Sequence, residues 1–200
     1  MKVVDNPSGS LRIAFNPPPP LVQDVFKGEE NANFAQYIYG PLQAEQIYFP
    51  PTDDESTNRI LECIRRGLVL QSLNGQILAT RLSRAKIFFS DSVVNCNNEL
   101  PREQTSVIFD YHNDFQPKLR DYMKGAGPCP TFERYFSFAQ KWNETRPISN
   151  NYVRVTVTHC LAQRCFNEVL NSKHEFLISE PNDLDNLAKQ IDSLFLGKAS

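Results

Sequence analysis

Four cations carry the clearest chemical signal in this chain. Arg81, Arg84 and Lys86 fall at the end of one apolar segment and the start of the next, and Arg102 follows the next polar loop. Guanidinium forks hold phosphate bidentately, and charge-assisted hydrogen bonds contribute about 1.5–3 kcal/mol each, so an anion receptor is one reading. A solvated strand face balanced by Asp91 and Glu99 is the other, and the residues alone leave both open. A second signal is Ser179, in the run Glu175-Phe176-Leu177-Ile178-Ser179-Glu180-Pro181. A serine just before a proline-started, Asp-rich helix is usually an N-cap. As a phosphoacceptor it would gain nearly two negative charges and become the kind of anion that the cations would bind.

Catalytic and metal chemistry find less support. His159-Cys160 with Cys165 invites a metal site, but zinc needs three or four ligands at workable spacing, and packing or surface roles are preferred. Glycine-rich phosphate loops, GxSxG and HExxH are all absent from the sequence. Its carboxylates are scattered, mostly beside helix starts. Neither an enzyme nor a cofactor is expected.

The elements that must position these groups are readable from periodicity. Ile60, Leu61, Ile64 and Leu68 recur at helical spacing after an acidic Asp53–Thr57 start, and Gly67 stands where a left-handed cap closes a helix. Leu68 to Leu70 then begin a strand, and Asn74-Gly75 is the strongest hairpin signal in the chain. Strands are also expected at Leu11–Phe15, Gln46–Phe49, Ile87–Phe89, Val107–Phe109, Thr131–Ala139 and Tyr152–Thr158, the last with Val153, Val155 and Val157 on one face. Asp110–Lys124 reads as a helix, and its interior Pro117 predicts a kink or a late start. His159–Leu170 reads as an amphipathic helix, followed by an extended Phe176–Ile178. A final helix over about 181–195 carries Leu184, Leu187, Ile191 and Leu194 on one stripe. Pro17–Pro20 is expected in an extended surface loop. Antiparallel strands with helices among them predict an α+β chain, a β-sandwich flanked by helices.

A chain of 200 residues supports one substantial core and a single domain over 1–200. The net charge of −2, with a pI near 5.9, argues against a free-standing nucleic-acid binder, although a local basic patch acts through its own field. No secretory leader and no long apolar run stand out, so an intracellular protein with five reduced cysteines and no membrane association is expected.

Several blocks occur in order: GPLQAEQIYFP, ILECIRRGLVLQSLNGQILATRLSRAKIFFS, PREQTSVIFD, PTFERYFSFAQKWNETRP and YVRVTVTHCLAQRCFNEVL. Together they resemble the C-terminal association domain of the interferon regulatory factors from about Asn6 to the final helix, the family's "ERGL" and "FGxxWPD" patterns being recognisable in RRGL and FAQKWNE. The resemblance implies a β-sandwich flanked by helices, similar to the Smad C-terminal and forkhead-associated domains. It implies a regulatory domain of a transcription factor in innate immune signalling. In the phosphorylation-activated members a pLxIS motif near the C-terminus is phosphorylated and binds a basic surface on another copy, and adaptors bearing the motif dock there first.

Carried over residue by residue, Glu175, Phe176, Ile178 and Ser179 fall on the motif, with Phe176 where the family has leucine, so the pocket must accept a larger ring. Arg81, Arg84, Lys86 and Arg102 fall on the phosphate-binding positions. The resemblance further implies homodimers or heterodimers with related factors, phosphorylated adaptors and transcriptional co-activators as partners, and a cytoplasmic protein that shuttles to the nucleus. The family's first strand and its tryptophan-rich DNA-binding domain are expected to be absent, Trp142 being the single tryptophan, so no direct nucleic-acid binding is expected. On this reading the last helix covers an apolar docking surface until phosphorylation near Ser179 releases the tail; a phosphate at that helix's N-terminus would instead favour the closed state. A DNA-binding-deficient decoy of the viral type and a constitutive phosphopeptide-binding module are the alternatives.

Overall fold

The structure is a computed structural model that describes residues 2–4, 10–13, 44–47, 49, 52–64 and 66–179, with side chains described for 49, 52–64 and 66–171. Pro17–Pro20 and the stripe Leu184, Leu187, Ile191 and Leu194 lie outside the described residues.

Ten described strands form two five-stranded sheets. One sheet has the order β1 (Lys2–Val4), β10 (Arg154–Thr158), β9 (Glu133–Phe138), β6 (Ile87–Ser90) and β7 (Asn98–Glu99). The other has the order β3 (Ala44–Ile47), β2 (Ser10–Ile13), β4 (Leu68–Leu73), β5 (Gln76–Arg81) and β8 (Thr105–Asp110). Pairing is antiparallel except at two places, β1 with β10 and β2 with β3. The described helices are α1 (Glu55–Cys63), α2 (Gln116–Met123) and α3 (Cys160–Ser179).

The period-2 pattern of the strands explains the sandwich. Leu68 and Leu70 of β4, Ile77 and Ala79 of β5, Phe136 and Phe138 of β9, and Val155 and Val157 of β10 are all buried in one core. Ile64, Phe115, Leu119, Ala162 and Val169 join that core from the helical segments. A second small cluster joins Phe88, Cys96 and Trp142, packed against by Tyr135 and Ile148. Trp142 is 1% exposed, and its Nε1 donates to the Ser92 carbonyl at 3.2 Å, so the 91–99 loop is tied down over this tryptophan.

The turn chemistry acts as its residue types require. Asn74 and Gly75 have φ of 49° and 76°, the double left-handed geometry of a tight hairpin, and a Cβ on Gly75 would meet the His112 ring at 3.0 Å. Asp54 caps α1 through Oδ2, which accepts from the Thr57 N–H at 2.6 Å. Gly67, at φ 78°, closes the segment after α1 by donating to the Ile64 carbonyl at 2.8 Å.

Three expected elements differ. The 110–124 helix is split into a π-helical turn, Tyr111–Phe115, and α2, with Pro117 in the first turn of α2, where its missing N–H is not needed. Asp110 caps the π turn, its Oδ1 accepting from the His112 and Asn113 N–H groups at 3.0 and 2.8 Å. The strand expected at Gln46–Phe49 is Ala44–Ile47. The extended piece at Phe176–Ile178 is not formed: α3 runs without interruption from Cys160 to Ser179, because residues 171–179 contain neither glycine nor proline to stop a helix.

Candidate partner-binding site

Backbone hydrogen bonds fix the loop that carries the cations. The Leu82 and Ser83 N–H groups donate to the Gly67 carbonyl at 3.1 and 3.0 Å, and the Arg84 and Ala85 N–H groups both donate to the Cys63 carbonyl at 3.1 Å. The Cys63 carbonyl at the end of α1 is thus supplied with donors by the basic loop. On the other side the Glu103 N–H donates to the Arg81 carbonyl at 2.8 Å, and Arg81 and Arg102 form an isolated parallel bridge. Arg102, distant in sequence, is therefore brought beside Arg81.

The four cations are not equivalent. The Arg81 side chain is 9% exposed, and its Nη1 lies 3.2 Å from Glu99 Oε1. Lys86 is 64% exposed, and its Nζ lies 3.0 Å from Glu99 Oε2. One carboxylate therefore bridges two of the predicted cations. The hydrogen bond from Lys86, assisted by Arg81, holds the Glu99 carboxyl below its ordinary range despite some desolvation. Arg102 Nη2 lies 3.4 Å from Glu103 Oε1, which also stands 4.0 Å from Arg66 Nη1. Arg84 is exposed, and no carboxylate of the described residues is within ion-pair distance of it. Of the two carboxylates named as balancing charges in the sequence, Glu99 takes that place for Arg81 and Lys86.

The tail candidates are only partly described. Glu175, Phe176, Ile178 and Ser179 lie in the last turns of α3, and their side chains are outside the described residues.

His159 and Cys165 are structural. The His159 ring stacks on Phe109 at 4.6 Å and Tyr111 at 5.7 Å between centroids, and its Nδ1 accepts from the Ala162 N–H at 3.1 Å, capping α3. Cys165 is buried in the core beneath it. Among the described residues no three His, Cys, Asp or Glu side chains converge as a metal site.

Arg134 escaped the sequence reading. It is 7% exposed, its Nε donates to the Ile108 carbonyl at 2.7 Å, its Nη1 donates to the Glu133 carbonyl at 2.9 Å, and its guanidinium lies 4.8 Å over the Phe109 ring. Nothing in ERYFSF distinguishes this arginine from an exposed one.

The sequence model described as interferon-regulatory factor 3 matches residues 4–169. The chain belongs to the interferon regulatory factor family. It is 28% identical over 175 residues to human interferon regulatory factor 5, covering 78% of this chain and 35% of that protein. It is 29% identical over 144 residues to chicken interferon regulatory factor 3, covering 64% of this chain and 29% of that protein. Against the crystal structure of the interferon regulatory factor 9 association domain, 85% of this chain aligns with 81% of that one at a TM-score of 0.54 and 18% identity, which establishes the shared fold. The chain thus spans about a third of the length of the interferon regulatory factor 5 relative, at 35%. The region it matches is the family's C-terminal association domain, a protein-interaction domain and not an enzyme.

Proposed function

We propose that this association domain is a phosphorylation-controlled docking module: a phosphorylated Ser179 segment, from a second copy or an adaptor, pairs with the basic surface around Arg84. The observation that carries this reading is an exposed arginine on a loop held by backbone hydrogen bonds, two residues from Lys86 in sequence and without a carboxylate partner among the described residues. Such a cation gains more from an incoming phosphate than one already paired.

The helical state of Ser179 supplies a trigger. Ser179 is the last described residue of α3, and Pro181, two positions on in the sequence, disfavours a helical Glu180. Nearly two negative charges at a helix C-terminus oppose the helix dipole, so phosphorylation destabilises the last turn and frees the segment for docking. The domain would work in a transcription factor that moves between cytoplasm and nucleus, with related factors, adaptors or co-activators as partners.

The test is the mass in solution of the chain unmodified, phosphorylated at Ser179, and phosphorylated with Arg84→Ala and Arg102→Ala. Arg81 is left intact because it is buried. A dimer in the second sample alone supports self-docking. Monomers throughout, with a phosphoserine peptide still bound, indicate a reader of other proteins' motifs. Monomers throughout and no peptide binding overturn the proposal.

A further inference from the structure

We propose that Glu99 is an internal stand-in for the phosphate, occupying the cation site in the resting state and setting its selectivity for phosphoserine over carboxylates. The inference rests on the phosphoserine reading above and concerns the regulation of that same surface. Glu99 divides its oxygens as a bound anion would, Oε1 to Arg81 Nη1 at 3.2 Å and Oε2 to Lys86 Nζ at 3.0 Å. It does so from a different element than the cations: β7 is two residues long and lies at the edge of its sheet, paired only with Phe88 and Phe89 of β6. The backbone there is held, the Leu100 N–H donating to the Ile87 carbonyl at 2.8 Å with Leu100 buried in the core, so displacement requires only that the Glu99 side chain turn away from its cations.

The fit between Glu99 and its cations is incomplete, which makes the carboxylate displaceable. Arg81 offers it one nitrogen rather than a two-pronged fork, and the buried Nε of Arg81 has no hydrogen-bond partner. Arg84, between the two paired cations in the chain, has no ion-pair partner among the described residues. A phosphate monoester brings about two charges and three acceptor oxygens, enough to take over both of Glu99's contacts with one oxygen to spare for a further cation of the same loop. A peptide carboxylate brings one charge and two oxygens, so it only exchanges one carboxylate for another. The surface therefore discriminates against acidic segments, although its cations attract them.

The experiment titrates the whole chain with a labelled peptide of residues 172–186 in three forms: unmodified, phosphorylated at Ser179, and with Ser179→Glu. The wild type is compared with Glu99→Gln, which keeps the shape and removes the charge, and with Glu99→Asp, which keeps the charge but is too short to span both cations. Arg84→Ala serves as the control for the site itself. Glu99→Gln is expected to bind the phosphopeptide at least about tenfold more tightly, the scale of one displaced charge-assisted contact. It is also expected to acquire binding of the Ser179→Glu peptide that the wild type lacks. Glu99→Asp should fall between the two, and it decides the matter if thermal unfolding shows that the glutamine variant does not fold.

Phosphopeptide affinity that is unchanged or weaker in both variants, while Arg84→Ala abolishes wild-type binding, overturns the stand-in and leaves the phosphoserine site in place. No phosphopeptide binding by the wild type or either variant overturns the site and the stand-in together.

Discussion

Arg81 and Arg134 are each 7% exposed, yet they are held in opposite ways. Arg134 is enclosed by partners: two backbone carbonyls at 2.7 and 2.9 Å, the Phe109 ring at 4.8 Å, and Asp114 Oδ2 at 3.6 Å from Nη2. It joins β9 of one sheet to β8 of the other and leaves nothing for a ligand. Among the described residues Arg81 has one side-chain partner, Glu99, and an Nε with none. Equal burial therefore does not mean equal purpose. A saturated buried cation is part of the scaffold, whereas an unsaturated one beside exposed cations retains capacity for an anion.

This contrast is most severely tested by replacing each arginine with methionine, which preserves much of the apolar stem. Arg134→Met strands the Ile108 carbonyl and is expected to lower stability by about 2–3 kcal/mol in urea unfolding, with phosphopeptide affinity changed little in the fraction that remains folded. Arg81→Met removes a poorly satisfied charge and is expected to lose no more than about 1 kcal/mol, while weakening phosphopeptide binding at least tenfold. Equal stability losses for the two would break the comparison.

Acid supplies a third test, at the β8 end of the Arg134 region. Asp110 accepts from Asn113 side chain and backbone and from Gln76, and these contacts hold its carboxyl at about 2, against an ordinary 3.8. A depressed folded-state value contributes stability above the unfolded value and loses it as pH falls through the folded one. Stability is therefore expected to decline from about pH 4 towards pH 2, and Asp110→Asn, which retains the capping oxygen, should flatten that limb in pH-dependent thermal unfolding. The smallest expected effect is that of Arg84→Ala on stability, within about 0.5 kcal/mol, since an exposed side chain with no ion pair contributes little. A larger loss would make Arg84 a structural residue and remove the main support for the docking site.

Much of the scaffold was legible because it depends on local rules. Asn74-Gly75, Gly67 and the valine alternation over 153–157 each specify a conformation through their own sterics or period, and each is found where expected. Pro117 predicted a kink or a late helix start and sits in the first turn of α2, although no pattern announced the π turn before it. The clustering of Arg81, Arg84 and Lys86 was also readable, since they lie close along the chain. Their inequality was not. It arises from Glu99 on a two-residue strand that aligns with Phe88, a register set by the sheet and not by any run of residues.

The same division separates what the chain's residue types determined from what required the fold. Residue type and spacing determined the hairpin, the caps, the core-facing strand positions and the family blocks, because these follow from short-range sterics, from periodicity and from the order of motifs. Tertiary structure alone decided that Arg134 is buried under Ile108 and over Phe109, that His159 caps α3 between aromatic rings, and that one carboxylate bridges Arg81 and Lys86. Each of these joins residues from different strands or helices. A charged side chain's environment is set by neighbours far away in sequence, so its burial and its remaining valence are not encoded in its own segment.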